Sequence, residues 1–212
     1  MGPHMGVLGA AGVCHSARPV HIEHMTIRKI ARMGHPVLRQ PALPVAEPQS
    51  ADIRRLVADM VDTMIDANGA GLAAPQVHEP LQVVVFQAPP ERMPDGAAAE
   101  EAFDHTAPLT VLINPQIDVL TADRAYGWEG CLSVPGLRGR VPRPTHIRYS
   151  GLDMDGAPIQ REARGFHARV VCHECDHLHG ILYPQRMDDL TDLIFETELR
   201  YRSGGLAAAP MR

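Results

Sequence analysis

Lysine is almost missing from this chain of 212 residues: Lys29 is the only one, and the remaining cationic charge is arginine. Lys and Arg together number 20 against 25 Asp and Glu, a formal charge of −5, so no global basic field draws in nucleic acid. Aromatics make up 4% of the chain, too few for base-stacking platforms. No apolar run approaches the ~18 residues of a membrane helix, and there is no internal repeat. Cysteine is limited to Cys14, Cys131, Cys172 and Cys175. Four could close two disulfides in a secreted chain. The gathering of three of them around a His-rich segment favours metal chemistry in a reducing compartment instead. A secretory signal is poorly supported, because no basic region precedes the small-residue stretch Val7 to Val13. What is present is a 45% hydrophobic composition in a length suited to one globular domain.

Residues 1–24 have no clear period. Gly2-Pro3-His4-Met5 reads as a cloning scar with Met25 as the native start, a targeting segment being the alternative; this extension is left out of the fold. The globular domain is expected over 25–202, and a flexible tail over 203–212. Pro36, Pro41, Pro44 and Pro48 predict extended, turn-rich chain. Ser50 then caps a helix whose apolar stripe is Ile53, Leu56, Val57, Met60, Val61, Met64 and Ile65, ended by Asn68-Gly69. Strands are expected over 82–87, 109–113 and 117–121, with a long surface loop over 88–108. Asp155-Gly156 joins a hairpin of His146–Ser150 and Pro158–Arg164. A second helix runs from Arg164-Gly165 to Gly180, and a last amphipathic helix is expected from about Asp188 to Tyr201. The fold class is α+β: antiparallel or mixed sheets around a central helix, with an N-terminal and a C-terminal helix.

That central helix carries His173-Glu174-Cys175-Asp176-His177. Residues four apart on a helix are offset by only about 40°, so His173 and His177 can grip one metal ion with Glu174 beside it. A catalytic site needs a third protein ligand and an open position. Glu196 and Glu198 lie near the distance at which some metalloproteases take a glutamate. Cys172 and Cys175 have knuckle spacing, but they lie about 120° and 180° from the midpoint of the two histidines, which places them in the core. Cys131, in Trp128-Glu129-Gly130-Cys131-Leu132-Ser133, could present a thiolate from an irregular stretch; a Cys with two His suits zinc or ferrous iron. Upstream, Gly69-Ala70-Gly71-Leu72-Ala73-Ala74-Pro75-Gln76 allows close backbone approach at its glycines and offers the Gln76 amide to a polarised carbonyl.

These three stretches, in this order, resemble the motifs of the peptide deformylases, and the likeness runs from about Ile27 to Tyr201. The resemblance implies that Cys131, His173 and His177 hold one Fe²⁺ per chain, with Zn²⁺, Ni²⁺ or Co²⁺ able to substitute. It implies Glu174 as general base and acid, and Gln76 with the Leu132 N–H as donors to the formyl oxygen. Gly69, Ala70, Gly71 and Leu72 would line the substrate, together with Arg138 beside the peptide groove and Val170 in a pocket for methionine. Glu129 and Arg143 look structural. The implied substrate is the N-formyl-methionyl end of nascent peptides, met near the ribosomal exit tunnel in a bacterial cytoplasm, an organelle being the alternative address. No nucleic acid or membrane is implied. Cys172 departs from the glutamine usual before the His-Glu pair, a position read as tuning or packing. Two other readings stay open: a metalloendopeptidase using Glu196 or Glu198, and a non-catalytic metal-binding paralogue.

Overall fold

The computed structural model describes residues 26–90 and 106–201. The extension before residue 26, most of the long loop and the tail from 202 lie outside the described residues. The apolar stripe after Ser50 forms α1 (Ala51–Asp66), capped by the Ser50 hydroxyl, which accepts from the Ile53 N–H at 3.4 Å. Its end falls at Asn68, whose φ of 52° lies in the left-handed region. Ile65, at the margin of the stripe, is exposed.

Five strands form the main sheet: β1 (Gly71–Ala73), β2 (Val83–Ala88), β3 (Ala107–Val119), β6 (His146–Leu152) and β7 (Pro158–Arg164), in the order β1-β2-β3-β6-β7. All their pairings are antiparallel. A smaller sheet holds β4 (Arg124–Cys131), β5 (Val134–Pro144) and β8 (Ile194–Phe195). The central helix is α2 (Gly165–Leu178), which Gly180 follows with φ +71°.

Strand periodicity builds the core on both faces of the main sheet. Val84 and Phe86 pack with Leu112, Tyr149 and the α2 residues Ala168 and Val171. Val83 and Val85 face the other way, against Leu72, Met60 and Met64. A third cluster under the small sheet joins Val134 and Val141 to Leu182 and Tyr183. These layers clamp α2 between the main sheet and the β4–β5 hairpin, and the site lies along that seam.

Two sequence expectations need correction. The strands expected over 109–113 and 117–121 are one strand, β3, kinked where its register shifts between Ile113 and Gln116. Asn114 absorbs the kink at φ 51°, and its amide bonds both the N–H and the C=O of Val45 at 2.8 and 2.9 Å. The expected C-terminal helix does not form. Leu190–Asp192 and Glu196–Tyr201 are 3₁₀ turns around β8, which pairs with β5 at Leu137↔Phe195 and Arg138↔Ile194. Gly71–Ala73, to which the sequence assigns no element, forms a buried edge strand.

Candidate metal centre

The two-residue connection Leu132–Ser133 joins β4 to β5, with Cys131 paired to Val134. Cys131 therefore sits at a hairpin tip, next to a register shift between Glu129 and Cys131, and not on a wholly irregular stretch. The tip presses Cys131 onto α2. Its Sγ lies 3.4 Å from His177 Nε2. The donor atoms of Cys131, His173 and His177 all fall within 4.8 Å of one another. A tetrahedral ion with bonds of about 2.0–2.1 Å to nitrogen and 2.3 Å to sulfur sets its donors roughly 3.3–3.8 Å apart, so the triad fits. Cys172 and Cys175 stand in the apolar cluster against the main sheet, as the helical angles require. Burial pushes the Cys172 thiol up to about 11 and that of Cys175 well above its ordinary value.

His173 is oriented from behind. Its Nδ1 meets Glu129 Oε2 at 2.9 Å, which turns Nε2 towards Cys131. Burial works against the imidazolium here, but contacts with Cys131 and Glu129 outweigh it and hold the His173 pKa well above the usual value. A histidine must shed its extra proton to ligate a metal, so ligation through this residue would release a proton. His177 is driven the other way, by burial and by His173, and stays neutral. Its Nδ1 is buried with no hydrogen-bond partner.

Glu129 is the hub of a buried charge network. Its two oxygens accept from Arg143 Nε and Nη2 at 2.8 and 2.9 Å, from Arg169 Nη1 at 2.8 Å, and meet His173. Burial alone would raise this carboxyl; the bonds to Arg143 and His173 instead hold it well below the carboxylate range. Arg143 reaches on to Asp176 at 2.6 Å, and Asp176 also takes two bonds from Arg186. Neither Arg169 nor Asp176 is among the candidate residues that the sequence singles out. The spacing of Arg169 four residues before His173 was the available signal.

Glu174 lies across the backbone of β1. A Cβ on Gly71 would run into its Oε1, Cδ and Cγ. Burial pushes the Glu174 carboxyl up to about 7, and Oε2 has no hydrogen-bond partner. The Gln76 side-chain Oε1 accepts from the Ala73 N–H at 2.8 Å, which aims Nε2 at Ser133 Oγ (3.2 Å) and Cys131 Sγ (3.6 Å). The chain before α1 ties both motifs together: Ala31 N–H donates to Gln76 O and Met33 N–H to Ser133 O, each at 2.7 Å. The Leu132 side chain packs beside Gly69, 3.1 Å from the position of a Cβ there. Ala70 and Val170 join the cluster between sheet and helix, and Leu72 is fully buried in the cluster against α1.

Arg138 lies over Gly130, the neighbour of Cys131, and donates to Glu196 Oε1 through Nε (3.0 Å) and Nη2 (2.6 Å). Glu196 is thus an ion-pair partner, and neither it nor Glu198 joins the ligand cluster found among the described residues. The protease expectation loses its third ligand. Among the described residues no helix is long and apolar enough to cross a membrane.

The family model for polypeptide deformylase matches residues 27–192. Peptide deformylase 1 of Nitrosomonas europaea is 51% identical over 174 residues, covering 80% of this chain and 95% of the relative. Peptide deformylase 2 of Ralstonia nicotianae is 52% identical over 176 residues, covering 82% and 94%. The crystal structure of peptide deformylase from Ehrlichia chaffeensis has a TM-score of 0.71 at 30% identity, over 79% of this chain and 91% of that one. A Met-Ala-Ser-bound class I type b peptide deformylase from Acinetobacter baumannii has a TM-score of 0.69 at 34% identity, over 77% and 100%. The match spans every element that builds the metal centre, and the chain belongs to the polypeptide deformylase family.

Proposed function

We propose that the protein hydrolyses the N-formyl group from formyl-methionyl peptides, with Cys131, His173 and His177 as metal ligands and Glu174 as proton shuttle. The observation that carries this reading is a buried, unpaired carboxylate oxygen beside an S-N-N donor triangle. When bound, the metal supplies Lewis acidity, which acidifies water and polarises the formyl carbonyl. Everything else falls to the chain. Glu174 takes a proton from the attacking water, and its raised pKa suits an exchange near neutrality. Oxygen adds to the formyl carbon, and negative charge grows on the former carbonyl oxygen. Gln76 Nε2 and the Leu132 N–H meet that charge; removing one such donor costs about 10²–10³ in rate. Glu174 then hands its proton to the leaving nitrogen as the C–N bond breaks, giving a free amine and formate.

The peptide lies along β1, where Gly69 to Leu72 offer backbone, and the methionine side chain enters beside Val170. Arg138 borders its exit. We assign Fe²⁺ as the working ion from the soft S-N-N donor set, with Zn²⁺, Ni²⁺ or Co²⁺ as substitutes. The free thiols Cys131, Cys172 and Cys175 fit a reducing compartment such as a bacterial cytoplasm. Nascent chains leaving the ribosome are the proposed substrates, and co-sedimentation with ribosomes tests that meeting. The decisive experiment is formate release from a formyl-Met peptide by anaerobic, Fe²⁺-loaded protein. Turnover by the parent and none by Glu174→Gln is expected; no turnover by fully loaded parent would sink the assignment.

A further inference from the structure

Arg169 stands four residues before His173 on α2, and both side chains end on the carboxylate of Glu129, at 2.8 and 2.9 Å. The same guanidinium donates to the carbonyls of Ala125 (2.8 Å), Gly127 (3.4 Å) and Val141 (2.9 Å). Gly127 and Val141 face each other across the β4–β5 ladder. One side chain of the ligand helix therefore holds both strands of the hairpin whose tip carries Cys131. It does so out of water, with 13% of the side chain exposed.

The guanidinium fits because residue 127 has no side chain. A Cβ there would lie 2.7 Å from Arg169 Cζ and Nη2. Gly127 is not among the glycines with positive φ, so its backbone conformation does not demand glycine. The arginine does.

We propose that Arg169 is a positioning residue for the metal centre and that Gly127 is its steric counterpart. The guanidinium locks the Cys131 hairpin and the Glu129 carboxylate to α2, which fixes the donor of the hairpin against the two donors of the helix. Two further bridges from hairpin to helix, Arg143 to Asp176 and Glu129 to His173, run at the level of the ligands, a turn or more beyond Arg169. This inference rests on the reading of Cys131, His173 and His177 as the metal site.

The test uses full-length protein loaded with Co²⁺, whose visible spectrum reports ligand geometry without any turnover. Metal loss to excess EDTA and the unfolding temperature are measured for the parent, Arg169→Met, Arg169→Lys, Gly127→Ala and the double variant Gly127→Ala/Arg169→Met. Groups that orient ligands typically contribute 10–100-fold to affinity, so Arg169→Met should lose Co²⁺ about tenfold faster or more, with an altered spectrum. Arg169→Lys keeps the charge without the planar fork and should recover part of the retention. Gly127→Ala should behave like Arg169→Met by evicting the guanidinium, and the double variant should be no worse than either single within about twofold, because both remove one interaction. Parental spectrum and retention in Arg169→Met, or multiplicative effects in the double variant, would overturn the proposal. Should Arg169→Met not fold, Gly127→Ala and Arg169→Lys decide: parental retention in both overturns it. Failure of the parent itself to bind one Co²⁺ with a thiolate charge-transfer band would overturn the metal-site reading as well.

Discussion

Gly71→Ala tests the placement of the general base with a single methyl group. The added Cβ meets Glu174 at Oε1, Cδ and Cγ together, so rotating the carboxylate tip alone cannot relieve the contact. Glu174 is 5% exposed and cannot swing into solvent. The backbone offers no other obstacle, since Gly71 does not have a positive φ. Two terms set the stability cost. Overpacking typically costs about 1–3 kcal/mol, and reduced freedom of the unfolded chain returns about 0.4–1 kcal/mol. The variant should fold, at most about 2–3 kcal/mol less stable by these terms. Catalysis should suffer more. Displacing a reacting group by about 1 Å can cost 10²-fold, equivalent to roughly 2.7 kcal/mol of barrier. Metal binding should be untouched, because Glu174 lies outside the ligand triad. The assay is formate release at matched metal content, with an unfolding temperature in parallel. Activity within about threefold of the parent, a change of less than roughly 0.7 kcal/mol in barrier, would refute the idea that Glu174 must lie across Gly71 to work.

Cys131→Ser should abolish stoichiometric metal binding while Cys172→Ser keeps it, measured by metal content after gel filtration; the reverse would move the site onto the helix cysteines. Glu129→Gln should lower stability at neutral pH by about 3–5 kcal/mol, the usual cost of breaking a buried ion pair from one side. Glu129 has a depressed folded pKa, so its contribution is full above the ordinary carboxylate value near 4.3 and fades as pH falls towards the folded one. The acid side of the unfolding-temperature profile should therefore be shallower in the variant, and parallel profiles would contradict the network. Glu196→Gln should barely change stability, since a pair about one-third exposed contributes about 0–1 kcal/mol. It should lower KM for a formyl-Met peptide with a free C-terminal carboxylate relative to the amide, and an unchanged ratio would place Arg138 away from the peptide.

The parts of this protein legible in its sequence are those fixed by local periodicity. The stripe of α1 and the His173–His177 pair on α2 follow from helical spacing, and the Asp155-Gly156 hairpin follows from turn chemistry. The β4–β5 hairpin was not legible as strands. Gly127, Gly130, Pro135, Gly136, Gly139, Pro142 and Pro144 all argue against strand, and three of these glycines are tolerated for a tertiary reason that no local pattern carries. Gly127 makes room for Arg169, Gly130 for Arg138, and Gly139 for Tyr183 and Met187. The C-terminal helix failed for the converse reason. Of its apolar residues, Leu193 packs under the small sheet while Leu190 and Phe195 remain 65% and 64% exposed, and the open edge of β5 offers Ile194 and Phe195 a strand to pair with. The charge network was half visible: Glu129 and Arg143 read as structural, but their reach to His173 and Asp176 depends on the packing of hairpin against helix.

That packing also explains how α2 can carry two further thiols beside its ligands without misdirecting the metal. Thiolates, not thiols, bind metal, so a competing cysteine must both face the ion and lose its proton. Cys172 and Cys175 meet neither condition. The helical twist turns them into the cluster formed with the main sheet, and burial there keeps them protonated, Cys172 with a pKa of about 11. At neutral pH a thiol of that pKa is almost wholly protonated. Of the cysteines among the described residues, Cys131 alone stands at the seam, on an element that the helix arginine and the Glu129 carboxylate hold in register. Selection among the three thiols is thus made by two independent physical filters, direction and desolvation. That is why a cysteine at position 172 stands clear of the triangle of Cys131, His173 and His177.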